Sequence, residues 1–286
     1  MLTRALKHIR DGLISLGYPE ECRVCGGAIE TWDDGVSCAR CWSDASLTKF
    51  FSGIAVCNHC GIPVAVDTTK RPALSETPPR VATQPSYCSE CVTRQYAVAR
   101  ACGEYSGAIE ASILFLKSHP FLCPRIRSVI TETLARDASI LASDLVLPVP
   151  LHRKRRRQRG FNQAGLLADI AARTFALRVR EDVLLRVKYT ERHRAGMDAK
   201  DRARSVEKAF KVVKPNAVRG RTVLVVDDLY TTGSTVSAVV GELLSAGVAR
   251  ANVFTVARVA PPRTARIVDA PALAHHSVMG KAQVAR

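Results

Sequence analysis

The chain has 286 residues, 47% of them hydrophobic, which is enough for one large domain or for a large and a small one. Its net charge of +16 favours polyanionic partners such as nucleic acid, nucleotides, phosphorylated sugars or anionic membrane surfaces, without selecting one of them. The sequence lacks the long uncharged apolar run of a signal peptide or membrane anchor, so we expect a cytoplasmic protein with no membrane insertion.

The first part of the chain is dominated by cysteine. Residues 1–20 predict a short surface helix, and residues 21–95 hold four Cys-x-x-Cys pairs. Paired thiols in a chain without a secretion signal favour metal over disulfides, and four thiolates with no open position are typical of structural zinc. We expect two zinc sites built from consecutive pairs: Cys22, Cys25, Cys38 and Cys41 for the first, and Cys57, Cys60, Cys88 and Cys91 for the second. An interleaved pairing and redox-active pairs are the alternatives.

Three further predictions concern the same region. Gly26, Gly27 and Gly61 follow their cysteine pairs, where a tight knuckle needs positive φ. His59 lies between two of the ligands and is interpreted as an exposed bystander. The two unpaired cysteines, Cys102 and Cys123, are interpreted as ordinary buried or half-buried thiols.

From about residue 100 the pattern alternates between helices and strands. Apolar spacing predicts helices at 108–117, 126–142, 162–175 and 234–246, and strands at 145–149, 222–226 and 251–257. In the second helix, Leu141 is placed on the apolar side with Ile126 and Leu134. Helices between strands predict an α/β domain with a parallel sheet over residues 100–260. Residues 261–286 have no clear period and are expected to be a disordered tail.

A basic segment follows the strand predicted at 145–149. Leu147-Pro-Val-Pro-Leu151 leads into His152-Arg-Lys-Arg-Arg-Arg-Gln-Arg159 and then Gly160-Phe-Asn-Gln163. A basic loop after a strand end suits pyrophosphate or a nucleic-acid backbone, whereas the same loop in isolation is usually only solvated surface. Beside the acidic motif described next, we expect Arg153, Lys154 and Arg155 to bind an anion.

The most informative segment runs from Val223 to Thr235. A buried strand is followed by Asp227-Asp228, then by a turn rich in hydroxyls and glycine, and then by a helix. The acidic pair could be a solvated strand end, a Mg²⁺ site or a clamp for a ribose diol. Carboxylates accept hydrogen bonds from vicinal hydroxyls, and the free N–H groups at a helix start hold phosphate, so the combination favours a sugar phosphate. The segment lacks a P-loop lysine, which argues against triphosphate hydrolysis.

This segment resembles the 5-phosphoribosyl-1-pyrophosphate (PRPP) motif of type I phosphoribosyltransferases. The resemblance implies that Asp227 and Asp228 are the catalytic pair that holds the ribose 2′- and 3′-hydroxyls. It also implies that Mg²⁺ accompanies PRPP and that the 5′-phosphate is bound by Thr231, Thr232, Gly233, Ser234 and Thr235.

The order of zinc ribbon, basic segment, Arg202–Phe210 and PRPP motif is similar to the ComF family over roughly residues 20–260. The resemblance implies a type I phosphoribosyltransferase-like parallel sheet flanked by helices, with a small N-terminal zinc-ribbon module in which four cysteines hold each ion. It also implies assistance to single-stranded DNA import in natural competence, beside a DNA helicase. His193 and Ser205 depart from the family pattern, in the region that closes over the reaction in type I transferases. The alternatives are an active phosphoribosyltransferase of nucleotide metabolism or salvage and a non-catalytic nucleic-acid-binding adaptor.

Overall fold

The structure is a computed structural model that describes residues 21–45, 57–62, 87–91, 93–189, 206–259 and 267–268. The helix expected at 1–20 lies outside these residues. So do His193, Ser205 and all of the expected tail except Ile267–Val268.

Most strands of the described chain belong to one sheet. They are β1 (Tyr87–Cys88), β2 (Val98–Glu104), β3 (Leu145–Pro148), β4 (Arg178–Val179), β5 (Leu184–Arg186), β6 (Phe210–Val212), β7 (Thr222–Tyr230), β8 (Arg250–Arg258) and β9 (Ile267–Val268). The central sheet has the order β2-β8-β7-β3-β4, and all of its strand pairs are parallel. Antiparallel pairs β1-β9 and β5-β6 lie outside it. The parallel sheet that the sequence predicts is confirmed.

Helices lie between neighbouring parallel strands, as such pairing requires. The helices found in the described residues are α1 (Ala39–Asp44), which precedes all of the strands, α2 (Gly107–Leu116), α3 (Pro124–Ala135), α4 (Ala138–Leu141), α5 (Arg153–Arg159), α6 (Gln163–Phe175) and α7 (Ser234–Ser245). Short 3-10 turns occur at Trp32–Asp34, Ser89–Cys91 and Pro215–Ala217.

The sheet is buried on both faces, because successive side chains of β7 enter different apolar clusters. Val223 and Val225 pack with α7 residues such as Val239, whereas Leu224 and Val226 pack with residues of α2, α3 and α6. A strand covered on both sides reads as a continuous apolar run, and this is the pattern of Val223–Val226.

The helix expected at 126–142 is two helices in the structure. Asp137 interrupts it, and the Asp137 carboxylate accepts hydrogen bonds from the N–H groups of Ser139 and Ile140 as the N-cap of α4. Ile126 and Leu134 are buried as predicted, but Leu141 is 46% exposed, so its predicted burial is wrong. The second segment instead buries Ile140, in the same apolar cluster as Ile126 and Leu134.

Candidate functional site

The acidic pair lies within β7 and not after its end. Pairing with β8 continues past the apolar run, with Asp227 opposite Thr255 and Tyr230 opposite Arg258. The strand predicted at 222–226 is therefore four residues too short at its carboxyl end. Because polar residues seldom occupy a buried central strand, sequence pattern alone placed the strand end too early.

Asp227 and Asp228 form a compact carboxylate pair at the edge of this sheet. Asp228 is buried, Asp227 is half-buried, and the Asp228 N–H donates a hydrogen bond of 2.9 Å to Asp227 Oδ1. Burial, together with the neighbouring charge of Asp228, raises the pKa of the Asp227 carboxyl well above its usual range. The pair is therefore an acceptor-rich site in which a second negative charge is unfavourable until a ligand compensates it.

Arg186 on β5 belongs to this site, although sequence reasoning did not identify it. Burial lowers the pKa of Arg186, the charge of Arg155 lowers it further, and the charge of Asp227 raises it. Its guanidinium lies 5.3 Å from the centroid of the Phe210 ring on β6. No sequence signal could have found Arg186, since the hairpin that carries it lies far from the acidic motif along the chain.

The turn between β7 and α7 leaves the start of the helix without a side-chain cap. Gly233 is the N-cap of α7, and no side chain there accepts a hydrogen bond from the first N–H groups of the helix. Thr232 Oγ1 and Ser234 Oγ lie 2.8 Å apart, so their hydroxyls are on the same side of the turn. Thr231 is exposed, and Ser234 and Thr235 are half-buried. The structure thus brings the predicted phosphate-binding residues to the start of one helix.

Gly233 is required by packing as well as by its backbone conformation. Its φ is +75°, in the left-handed region, and a Cβ added there would lie 2.5 Å from Tyr230 Cζ. Tyr230 is buried at the end of β7, so the loop rests directly on this ring. We call residues 231–235 the phosphate loop.

The basic segment is a helix and not the loop that was expected. His152 caps α5, with its Nδ1 accepting from the Lys154 N–H, and the helix ends at Gly160 with φ of 83°. Arg153 and Lys154 are exposed, and Arg155 is half-buried. A run without β-branched residues or proline can form a helix even when its charges repel. In this segment, the caps at His152 and Gly160 favour the helix.

The Tyr189 ring packs against the amino end of the basic helix α5. The Lys154 ammonium lies 4.9 Å from the centroid of the Tyr189 ring, and the His152 ring meets it edge-on at 5.2 Å. Val149, at the start of the basic segment, donates its N–H to the Val226 carbonyl. The basic helix α5 therefore starts beside the strand that carries the acidic pair.

Eight cysteines form two groups of four from consecutive pairs, as expected. The first four-cysteine group contains Cys22, Cys25, Cys38 and Cys41, and the second contains Cys57, Cys60, Cys88 and Cys91, with all Sγ atoms of a group within 4.8 Å of one another. Sγ–Sγ distances of 3.7 Å occur in both groups. Four thiolates about 2.3 Å from one Zn²⁺ would be about 3.8 Å apart, so each group fits a tetrahedral ion.

The backbone around Cys22 favours its thiolate form. Although burial raises the pKa of Cys22, hydrogen bonds from the N–H groups of Cys38, Cys25 and Val24 lower it to about 6. A lowered pKa favours the thiolate that metal binding needs.

The glycines after the cysteine pairs follow the prediction in two of three positions. Gly26 and Gly61 have φ of 74° and 70°, as the knuckles require. The positive φ expected at Gly27 is wrong, because the left-handed residue of that knuckle is Gly26 alone.

Predictions for the remaining residues of this region had mixed outcomes. Cys102 and Cys123 are buried, as expected. The prediction that His59 is exposed is wrong: it is buried, and its Nε2 donates to the Tyr96 carbonyl.

Within the described residues, no helix is long and apolar enough to cross a membrane.

Comparisons with known proteins agree with this architecture. The family model described as phosphoribosyl transferase domain matches residues 138–273. The chain is 37% identical to Competence protein F of Haemophilus influenzae, over 40% of this chain and 50% of that protein. It is 33% identical to DNA utilization protein YhgH of Escherichia coli O6:H1, over 43% and 53%, and 31% identical to Competence protein ComFC of Bacillus subtilis, over 40% and 44%.

The chain spans about half the length of these curated relatives. Among solved structures, it is similar to glutamine PRPP amidotransferase from B. subtilis, with 22% identity and a TM-score of 0.31, over 46% of this chain and 26% of that one. The chain is therefore similar to a phosphoribosyl transferase domain over residues 138–273, and to competence and DNA-utilization proteins over about two fifths of its length.

Proposed function

We propose that the chain binds PRPP, or a related phosphoribosyl ligand, at the junction of β7 and α7. One observation carries the proposal: a carboxylate pair, with Asp228 buried and Asp227 half-buried, and an uncapped helix start lie towards the same end of β7 in a parallel sheet. Ligands of open α/β sheets bind at the carboxyl ends of the strands. A ribose 5-phosphate unit presents a diol at one side and a dianion at the other, which matches these two features.

Each part of the site has a distinct task in this proposal. The carboxylates of Asp227 and Asp228 accept hydrogen bonds from the ribose 2′- and 3′-hydroxyls. The N–H groups and hydroxyls of the phosphate loop surround the 5′-phosphate, where the α7 dipole favours negative charge. Mg²⁺ would enter with the pyrophosphate group and offset its charge near the acidic pair.

The basic helix α5 is proposed as the partner of the pyrophosphate group. Arg153, Lys154 and Arg155 begin this helix shortly after β3, and the charge of Arg155 lowers the pKa of Arg186 while the charge of Asp227 raises it. If an acceptor attacks the anomeric carbon, the C–O bond to pyrophosphate breaks and positive charge develops on the ribose. The acidic pair would stabilise that charge, and the cations would stabilise the departing pyrophosphate.

We also propose that both four-cysteine groups hold structural zinc. Their thiols are complete sets of four, so no coordination position is left for a substrate. Zinc would therefore contribute to folding and not to the reaction.

A second function is favoured by the exposed charge of α5. Six of its seven residues are Arg or Lys, and most of them face solvent. Such a surface suits the closely spaced phosphates of single-stranded DNA. The names of the relatives concern competence and DNA utilization. We therefore propose a role in the import or handling of single-stranded DNA, with a helicase of the uptake machinery as a candidate partner and the cytoplasm as its location.

Isothermal titration with PRPP and Mg²⁺ tests the primary proposal. The wild-type chain is expected to bind, and the Asp227→Asn/Asp228→Asn variant is expected to lose at least about a hundredfold in affinity, since two charged acceptors are removed. Asp169→Asn on α6 is the matched control, because it removes a carboxylate away from β7. Equal affinity of wild type and double variant would contradict the proposal.

A further inference from the structure

The second four-cysteine group belongs to the same apolar cluster as the two residues that flank the phosphate loop, Tyr230 and Val236. Its four cysteines share this cluster with Tyr96, whereas Cys22, Cys38 and Cys41 of the first group form a separate small cluster with Ile29. The turn between Cys57 and Cys60 also contacts the central sheet, because the Ala99 N–H on β2 donates to the His59 carbonyl at 2.7 Å. The two four-cysteine groups thus have different structural neighbours.

Tyr96 connects a metal-binding cysteine to the ring beneath the phosphate loop. Its hydroxyl lies 3.8 Å from Cys91 Sγ and 2.9 Å from the hydroxyl of Tyr230, and the side chain is 2% exposed. Since Gly233 rests on Tyr230, a shift of Cys91 would be transmitted to the loop through two buried rings in contact.

Arg94 makes the most direct connection. It follows Cys91 by three residues, and its N–H donates to the Cys91 carbonyl at 3.0 Å. From there its guanidinium reaches the phosphate loop: Nη2 donates to the Thr232 carbonyl at 2.7 Å, and Nη1 donates to Ser237 Oγ at 2.9 Å. One planar group therefore fixes the loop against the first turn of α7.

Arg258 supplies a third connection from the end of β8. Its Nη1 donates to the Cys60 carbonyl at 2.6 Å, and its guanidinium lies 4.3 Å from the centroid of the Tyr230 ring. The side chain is 6% exposed, so this contact is made in the interior. Both halves of the second four-cysteine group are therefore tied to the support of the loop.

From these contacts we propose that metal binding by the second four-cysteine group sets the conformation of the phosphate loop, with Arg94 and Tyr96 as positioning residues. The affinity for a phosphoribosyl ligand then depends on metal at this site and not at the first; this last statement rests on the function proposed above. The physical reason is that the cysteines of 87–91 lie in a two-residue strand and one 3-10 turn, which metal coordination must hold in place.

The experiment compares hydrogen exchange and PRPP titration in the zinc-loaded full chain and its variants. Arg94→Ala is expected to retain two zinc ions, to exchange amides 231–237 about tenfold faster, and to bind PRPP about tenfold more weakly, as the loss of two hydrogen bonds implies. Arg94→Lys should regain part of the amide protection and part of the PRPP affinity, since an ammonium can donate to the Thr232 carbonyl. Arg136→Ala, which removes an exposed arginine at the end of α3, is the control and is expected to change neither the exchange of amides 231–237 nor the affinity for PRPP.

Metal removal completes the comparison. Cys91→Ser should lose one zinc and show faster exchange in 231–237, whereas Cys25→Ser should lose one zinc and leave these amides unchanged. Because a cysteine variant can unfold, Tyr96→Phe, which keeps the ring and removes only the bridging hydroxyl, provides the second test and is expected to accelerate the same amides.

The outcomes separate the two proposals. Loop exchange that responds to Arg94→Ala and Tyr96→Phe supports the coupling even if the wild type fails to bind PRPP, a result that would overturn only the proposed ligand. Exchange at 231–237 that is unchanged in both variants, or equally changed by Cys25→Ser, overturns the coupling even if PRPP binds.

Discussion

Gly233 combines a backbone requirement with a packing requirement. Its positive φ favours glycine, and the Tyr230 ring beneath it leaves no room for a Cβ. The sequence places Gly233 in a turn rich in hydroxyls and glycine. It does not reveal the contact with Tyr230, since that contact depends on how the loop folds back on the end of β7.

Alanine substitution separates these requirements. Gly220 has φ of +69° and open space around it, so Gly220→Ala should cost only about 1–2 kcal/mol of unfolding free energy for the left-handed conformation. Gly233→Ala should cost roughly 1–3 kcal/mol more, because the added methyl group must displace Tyr230. Denaturant unfolding of the two variants measures the difference. Equal losses would show that the close contact with Tyr230 has no energetic consequence.

Asp227 gives a pH-dependent prediction. Its pKa is raised in the folded chain by burial and by Asp228, so the charged form destabilises the fold. The folded state then binds more protons than the unfolded state, and this contribution to stability is present at low pH and lost as pH rises through the folded pKa. Asp227→Asn should therefore raise the melting temperature by a few degrees at about pH 8, and by less at about pH 5.

Thermal unfolding of both chains at the two pH values is the measurement, with Asp169→Asn as the control. A variant that is destabilised at about pH 8, or a difference that grows as pH falls, would contradict the assignment of an unfavourable charge to Asp227.

Among the elements, those defined by a continuous apolar pattern could be predicted from the sequence. The run Val223–Val226 and the spacing of Val236, Val239 and Leu243 predict a strand and a helix, and both elements are present, although β7 continues to Tyr230. The break at Asp137 could not be predicted in this way, because helical spacing continues across it. Arg186 was missed because hairpin β5-β6 brings it to the site from a distant part of the chain.

The helical form of the basic segment changes what DNA binding should look like. Arg153 and Arg157 are one helical turn apart and both exposed, so they present charge on one face of α5. If they contact single-stranded DNA, Arg153→Ala/Arg157→Ala should reduce the slope of log affinity against log salt by roughly 1.4, or about 0.7 for each lost phosphate contact.

Fluorescence anisotropy with an oligonucleotide over a range of salt concentrations measures this slope. Arg136→Ala/Arg250→Ala removes the same charge from the end of α3 and from the amino end of β8 and should change the slope less. Equal slope changes for the two pairs would mean that binding follows net charge and that α5 is not a specific surface.

For the molecule as a whole, the two four-cysteine groups differ in accessibility. In the first group Cys25 is exposed, whereas all four cysteines of the second are buried. The pattern of four Cys-x-x-Cys pairs predicts the number and membership of the groups. It does not predict their different burial, which arises because only the second group packs into the apolar cluster of the sheet.

Zinc release should therefore occur in two phases. A chelator with a colour change on metal binding should remove one zinc ion per chain quickly and the second at least about tenfold more slowly, since the second requires local opening of the buried cluster. Cys25→Ser should abolish the fast phase only. Release of both ions in one phase, or loss of the slow phase in Cys25→Ser, would contradict the assignment.

The central claim is that a phosphoribosyl ligand binds where β7 meets α7, and a structure of the zinc-loaded chain with PRPP and Mg²⁺ tests it most directly. The account predicts the 5′-phosphate on the N–H groups of residues 231–235 and the ribose hydroxyls within hydrogen-bond distance of Asp227 and Asp228. Density for PRPP at another surface, or no ligand at a saturating concentration, would contradict it.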